Sequence, residues 1–277
     1  MDRKVLELYK GRRHFVLLSC FSNHCLGDRM IFRYLLPCVF ILIGSFSLAN
    51  GQTPDKSGFL QKLEDARPIS GITLTGTAEW WAGSQHENGN ATLHAGADGS
   101  TSVQLSLDHA SRTETQSRLD EFRACQWTDN TGTAHDVLGP NCFVAVPWFA
   151  PGLYAQPSAQ LPAMLVMSDG GEVSSKQEAA TVHQISYALN MRGKTTASTK
   201  RLANASCVKV FYDPQVLLPT SLEYSIYSDS DDAQSLDVRV VFSNYRPVAG
   251  VQLPFHIERF VNRSLQLKLD ISNASIE

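Results

Sequence analysis

Leu265, Leu267, Leu269 and Ile271 alternate with Gln266, Lys268, Asp270 and Ser272, so the last segment of this 277-residue chain has one apolar and one polar side at a period of two. Successive side chains of a strand point to opposite faces, whereas a helix repeats every 3.6 residues, so the spacing specifies a half-buried strand. The same alternation recurs at Val103, Leu105 and Leu107, at Leu222, Tyr224 and Ile226, and at Val238, Val240 and Phe242. Further strands are expected at 72–82, 90–96, 111–118, 122–128, 181–190, 206–212 and 251–261. One polar face per strand implies antiparallel pairing with a single covered face, because parallel sheets are covered on both sides.

Turn chemistry separates these runs. Asn88-Gly89-Asn90, Ala97-Asp98-Gly99, Asp129-Asn130-Thr131-Gly132, Ser168-Asp169-Gly170-Gly171 and Asp229 to Asp232 read as loops, and Asp213-Pro214 as the start of a turn. Helix is confined to about 55–66. Residues 143–165 are apolar but carry four prolines, which excludes one long helix and leaves short turns lying over the sheet. The expected fold is mainly β, a curved antiparallel open half-barrel covered by an N-terminal helix and the Pro-interrupted apolar segment, in a single domain of 51–277. Between sheet and cover an apolar ligand would meet Trp80, Phe149, Leu153, Val240, Phe242 and Leu267. The alternative is a fully packed interior and a domain that serves only as an interaction scaffold.

The N-terminus reads as an address. Residues 34–49 are apolar, follow Arg29 and Arg33, and precede a polar, turn-rich stretch. Sixteen residues interrupted by Pro37 fall short of the roughly 20 needed to span a bilayer. Small residues at Ser47 and Ala49 suit cleavage before Asn50, so 1–49 is expected to be a signal peptide region, with Met30 a natural start; the competing reading is an uncleaved anchor. Its removal takes seven of 24 basic and three of 27 acidic residues, leaving 17 and 24 and a formal charge of −7. That balance argues against nucleic acid as a partner. The destination expected is periplasmic or extracellular, where a partner protein of the cell envelope would be met.

Cysteine usage fits that compartment. Cys125, Cys142 and Cys207 remain after cleavage, and Cys125 with Cys142 is the natural pair across a Thr/Asn/Gly-rich loop; the other two pairings stay open in the sequence. Cys207, in a strand-like run, is expected to be a buried unreactive thiol. Zinc spacing, nucleophile elbows and phosphate loops are absent, and no cofactor is implied. The histidine–acid neighbours His86-Glu87, Asp108-His109 and His135-Asp136 would point to opposite faces of a strand, while His256 and Glu258 share a face but supply only two potential ligands. A non-enzymatic binding protein is therefore expected. The other reading, a secreted carbohydrate-binding module or a hydrolase acting on cell-surface polymer, rests on Trp81, placed beside Glu79 on the face opposite Trp80, and on scattered carboxylates.

The C-terminal third has a distinctive order: VFYDPQVLLPTSLEYSIYSD, then a Phe-x-x-Tyr-x-x-Val-x-Gly-Val-x-Leu-Pro run that includes Tyr245, Gly250 and Pro254, then the final strand. This resembles the periplasmic lipoprotein-carrier superfamily, and from about residue 59 a group of exported bacterial proteins of unassigned function that share the Gly76-to-Trp80 strand, the turn at 98–100 and the Trp148-Phe149 element. The resemblance implies a strongly curved half-barrel closed by helices, and a cavity for lipid acyl chains. The Cys125 to Cys142 insertion and the acidic stretch at 228–232 depart from the carriers.

Overall fold

A computed structural model describes residues 58–64, 69–116, 125–137, 141–142, 148–155, 165–175, 180–189, 203–228 and 231–277. The signal peptide region, the ends of the expected helix at 55–57 and 65–66, and residues 143–147 and 156–164 of the expected cover lie outside them.

The alternating segments form thirteen strands: β1 (Gly71–Ala82), β2 (Gln85–Gly96), β3 (Thr101–Leu107), β4 (Ser111–Gln116), β5 (Gln126–Thr128), β6 (Ala134–Asp136), β7 (Leu165–Ser175), β8 (Ala180–Leu189), β9 (Val208–Tyr212), β10 (Pro219–Ser228), β11 (Asp231–Val248), β12 (Val251–Val261) and β13 (Ser264–Ile276). They make one antiparallel sheet in the order β6-β5-β4-β3-β2-β1-β13-β12-β11-β10-β9-β8-β7. Every neighbour is the next strand in sequence except β1 and β13, which meet in the middle of the sheet. The two edges, β6 and β7, are consecutive in the chain. Of the segment joining them, Trp148, Phe149, Ala150 and Leu153 are buried in one cluster with the inward strand residues, on the apolar side of the sheet. Its stretch Pro151–Ala155 is a 3-10 turn lying against α1 (Gly58–Glu64), which contributes Leu63 to the same cluster and packs Phe59 on it. The curved, open, antiparallel half-barrel with its two-part cover is thus present.

Glycine permits a close approach of backbones between β1 and β13 and between β2 and β3. A Cβ on Gly76 would stand 2.1 Å from the Asp270 carbonyl oxygen, and one on Gly89 would stand 2.0 Å from that of Ser106. Both face inward, in the cross-strand pairs Gly76–Ala91 and Ala78–Gly89, so β1 and β2 carry only small residues at these positions while Ile271 of β13 and Leu107 of β3 lie beside them. Asn88-Gly89-Asn90 is consequently not the loop its composition indicates; it lies inside β2, and the hairpin turn is Gly83-Ser84, with Gly83 at φ 63°. Ser168 to Gly171 is likewise within β7, where a register shift between Asp169 and Gly171 absorbs the extra glycine as a bulge. Ala249-Gly250 and Asn262-Arg263 have positive φ at both central positions of two-residue hairpin loops. Cys125 and Cys142 form a disulfide. Cys207, expected to be buried, is half-buried at the start of β9 and is in no disulfide.

Candidate ligand site on the concave face

Ladder registers fix which side chains meet on the inner face. Trp80 of β1 pairs with Leu267 of β13, Leu267 with Arg259 of β12, Arg259 with Val240 of β11, and Val240 with Leu222 of β10. Leu267, Val240, Phe242, Phe149 and Leu153 are buried and Trp80 is half-buried, all in or against the one apolar cluster. Arg259 is the charged member of this row and was not singled out from the sequence. It occupies the inward register of Leu253, Phe255, Ile257 and Val261, which is where its signal lay.

Arg259 is only 9% exposed. Its guanidinium lies 4.8 Å from the ring centre of Trp148 on the cover and 5.5 Å from that of Trp80 on the sheet, so it sits between the two layers as a cation against aromatic faces. Its Nε is buried without a hydrogen-bond partner.

A second charged group enters the concavity from the other arm of the sheet. Val103 pairs with Glu114, Leu105 with Arg112, Glu114 with Trp127 and Trp127 with His135, which places these polar side chains of β4, β5 and β6 on the inner face. Arg112 Nε donates to Glu114 Oε1 at 2.6 Å, and its guanidinium lies 4.3 Å from the Trp127 ring centre; His135 stacks on the same indole at 4.2 Å. Burial pushes the Glu114 carboxyl up, but the charges of Arg259 and Arg112 and the Arg112 hydrogen bond outweigh it and hold the group below its ordinary value. Laid flat, β4 and β12 would stand about 24 Å apart, five spacings of about 4.8 Å. That Glu114 feels Arg259 across four intervening strands is a direct consequence of the curl. Tyr224 of β10 lies within the same field: burial raises its hydroxyl to about 12, with Arg259 opposing and Glu114 reinforcing the rise.

The convex face is different in kind. Glu79, Lys268, Asp270, His256 and Glu258 form a chain of polar contacts, with Lys268 Nζ 2.7 Å from Glu79 Oε1 and 3.5 Å from Asp270 Oδ2, and His256 Nδ1 2.6 Å from Asp270 Oδ1. Trp81 belongs to this face and stacks on His86 at 4.7 Å, so one side of its ring is already covered. The neighbours His86 and Glu87 diverge as strand geometry requires: His86 reaches Glu79, while Glu87 accepts the backbone N–H of His109. Among the described residues no cluster of three His, Cys, Asp or Glu could hold a metal ion.

The described residues of the cover meet the sheet in two ways. At its start the Cys125–Cys142 disulfide and Asn141 hold it; the Asn141 side chain donates to the Tyr227 carbonyl at 2.7 Å and accepts from the Tyr227 N–H at 2.8 Å. Beyond that, Trp148, Phe149 and Leu153 meet the sheet through apolar side-chain packing.

No family model matches this chain, and no curated protein matches it. Three solved structures are similar to it, each at a TM-score of 0.48 and each aligned over 79% of this chain. One is described as an outer membrane lipoprotein-sorting protein domain from Vibrio parahaemolyticus, at 8% identity over 89% of its length. Another is a DUF1329 family protein from Desulfovibrio piger, at 11% identity over 90% of its length. The third is a LolA superfamily protein from Nitrosomonas europaea, at 12% identity over 92% of its length. Likeness at this level decides nothing about ligand, and the architecture described above rests on the strand registers of the chain itself.

Proposed function

We propose that this chain is an exported, non-enzymatic protein that binds an apolar ligand, a lipid or acyl chain, between the concave sheet and its cover, and serves in the cell envelope. The observation that carries the reading is the apolar packing of the described residues 148–153 of the cover against the inward strand residues. Trp148, Phe149 and Leu153 hold it by apolar contact, and an apolar contact with a side chain exchanges for one with an acyl chain at little net free energy, whereas a ladder hydrogen bond does not. Trp80, Phe149, Leu153, Val240, Phe242 and Leu267 would then line the ligand.

Native mass spectrometry of the protein purified from exporting cells, before and after solvent extraction, tests the reading. A stoichiometric adduct of lipid mass that extraction removes is the expected result. A clean mass, together with no uptake of a fluorescent fatty acid, overturns it.

A further inference from the structure

The acyl-binding reading leaves one group unexplained. An uncompensated buried cation is expensive, and proteins retain one where it is paired or where a ligand pairs with it. Arg259 has its Nε buried and unpartnered, and no described carboxylate lies within ion-pair distance of its guanidinium. Glu114, the carboxylate that influences it through space, is already engaged by Arg112 at 2.6 Å. The inner polar set of Arg112, Glu114 and Arg259 thus keeps a net positive charge, with the Arg259 guanidinium set among Trp80, Trp148, Leu267 and Val240. A neutral apolar ligand would leave that charge as it is. A ligand with an oxyanion at one end would supply the missing acceptor, and the planar guanidinium matches an oxyanion geometrically.

We propose that Arg259 anchors the anionic head of an amphiphile whose acyl chain occupies the apolar concavity, so that the ligand class is a single-chain acid bearing a carboxylate or phosphate head. This rests on the acyl-binding reading and adds the polarity and the orientation of the ligand to it.

The test compares matched probes on the intact protein: hexadecanoate, hexadecyl phosphate and hexadecan-1-ol, competed against a neutral fluorescent hydrocarbon probe. At least one acid should bind about tenfold or more tightly than the alcohol, as a charge-assisted hydrogen bond in a desolvated site requires. That ratio should collapse toward unity in Arg259→Met and return in Arg259→Lys, while Lys209→Met on the exposed outer side of β9 should leave it unchanged. Preference for hexadecanoate identifies a free fatty acid, and preference for hexadecyl phosphate a phospholipid-derived head. Equal binding of acids and alcohol by the wild-type protein, or a preference that survives in Arg259→Met, overturns the anchor while leaving the acyl reading standing. Failure of all probes to bind overturns both. The wild-type comparison needs no variant, so a misfolded Arg259→Met does not remove the test.

Discussion

Replacing Gly89 by alanine sets two effects of opposite sign against each other. Alanine in place of a strand glycine restricts the unfolded chain and ordinarily stabilises by about 0.4–1 kcal/mol. Here the new Cβ would meet the Ser106 carbonyl oxygen at 2.0 Å and the Leu107 Cα at 2.8 Å, both backbone atoms that cannot rotate aside. Reaching even a tight 3.0 Å contact requires β2 and β3 to separate by about 1 Å, which disturbs the local ladder at about 0.5–1.5 kcal/mol per hydrogen bond, including the bond from the Asp108 N–H to the Asn88 carbonyl. Adding the overpacking term of about 1–3 kcal/mol gives a net destabilisation of about 2 kcal/mol. Gly152 is the control, since a Cβ there meets only Pro219 Cγ at 4.0 Å, and Gly152→Ala should be neutral or mildly stabilising. Urea unfolding followed by tryptophan fluorescence measures both. A Gly89→Ala protein as stable as the wild type, or more so, would refute the argument that β2 and β3 approach too closely at this site to admit a Cβ.

The disulfide closes a separation of 17 residues, for which chain entropy gives about 3 kcal/mol, so reduction or Cys142→Ser should lower the melting temperature by about 6–12 °C; calorimetry with and without reductant shows whether it does. Phe149 is 1% exposed, and Phe149→Ala should destabilise the unliganded protein by about 3–5 kcal/mol in denaturant titration, with a cost below 1 kcal/mol contradicting its place in the core. Glu114 is held below its ordinary value of 4.5, so its folded form favours ionisation: the stability it contributes is complete above that value and is lost as pH falls through the lower folded one. Glu114→Gln should therefore flatten the wild-type decline in unfolding midpoint below pH 4.5, and an unchanged acid limb would count against the Arg112–Glu114–Arg259 coupling.

Strands with apolar inner faces were legible. β12 occupies 251–261, as its alternation specifies, and β13 even announces its irregularity: the apolar positions run 265, 267, 269, 271 and then 274, 276, a change of parity that the register shift opposite Thr75 and Gly76 accounts for. β4, β5 and β6 were only partly legible because their inward positions are Arg112, Glu114, Trp127 and His135, and a pattern search for apolar residues has nothing to follow there. β7 was concealed by Asp169-Gly170-Gly171, a turn signal by composition that the sheet accommodates as a bulge. The inward apolar positions Val240, Phe242 and Leu267 could be read from alternation. Arg259 escaped because counting apolar residues in β12 passes over a charged one at the fifth inward place, although an arginine on an apolar register is the more informative observation.

These two kinds of legibility divide the concavity chemically. The inner faces of β1 to β3 and β8 to β13 are chiefly apolar, and the arm β4 to β6 is polar and aromatic on the same side. Asp129 steadies the tip of that arm: the Thr131 hydroxyl and His135, with the Thr131 and Thr133 N–H groups, hold its carboxyl far below the usual range. The disulfide then ties the same arm to the start of the cover. The amphiphile proposed above would lie one way round on such a face, its chain along the apolar strands and its head toward Arg259 and β4. The polar arm would otherwise be a poor contribution to a folding core, since each charged inward side chain displaces apolar burial worth about 25 cal/mol per Å². Its presence on the concave face, joined by a covalent bond to the start of the cover, is what the proposed amphiphile site would use.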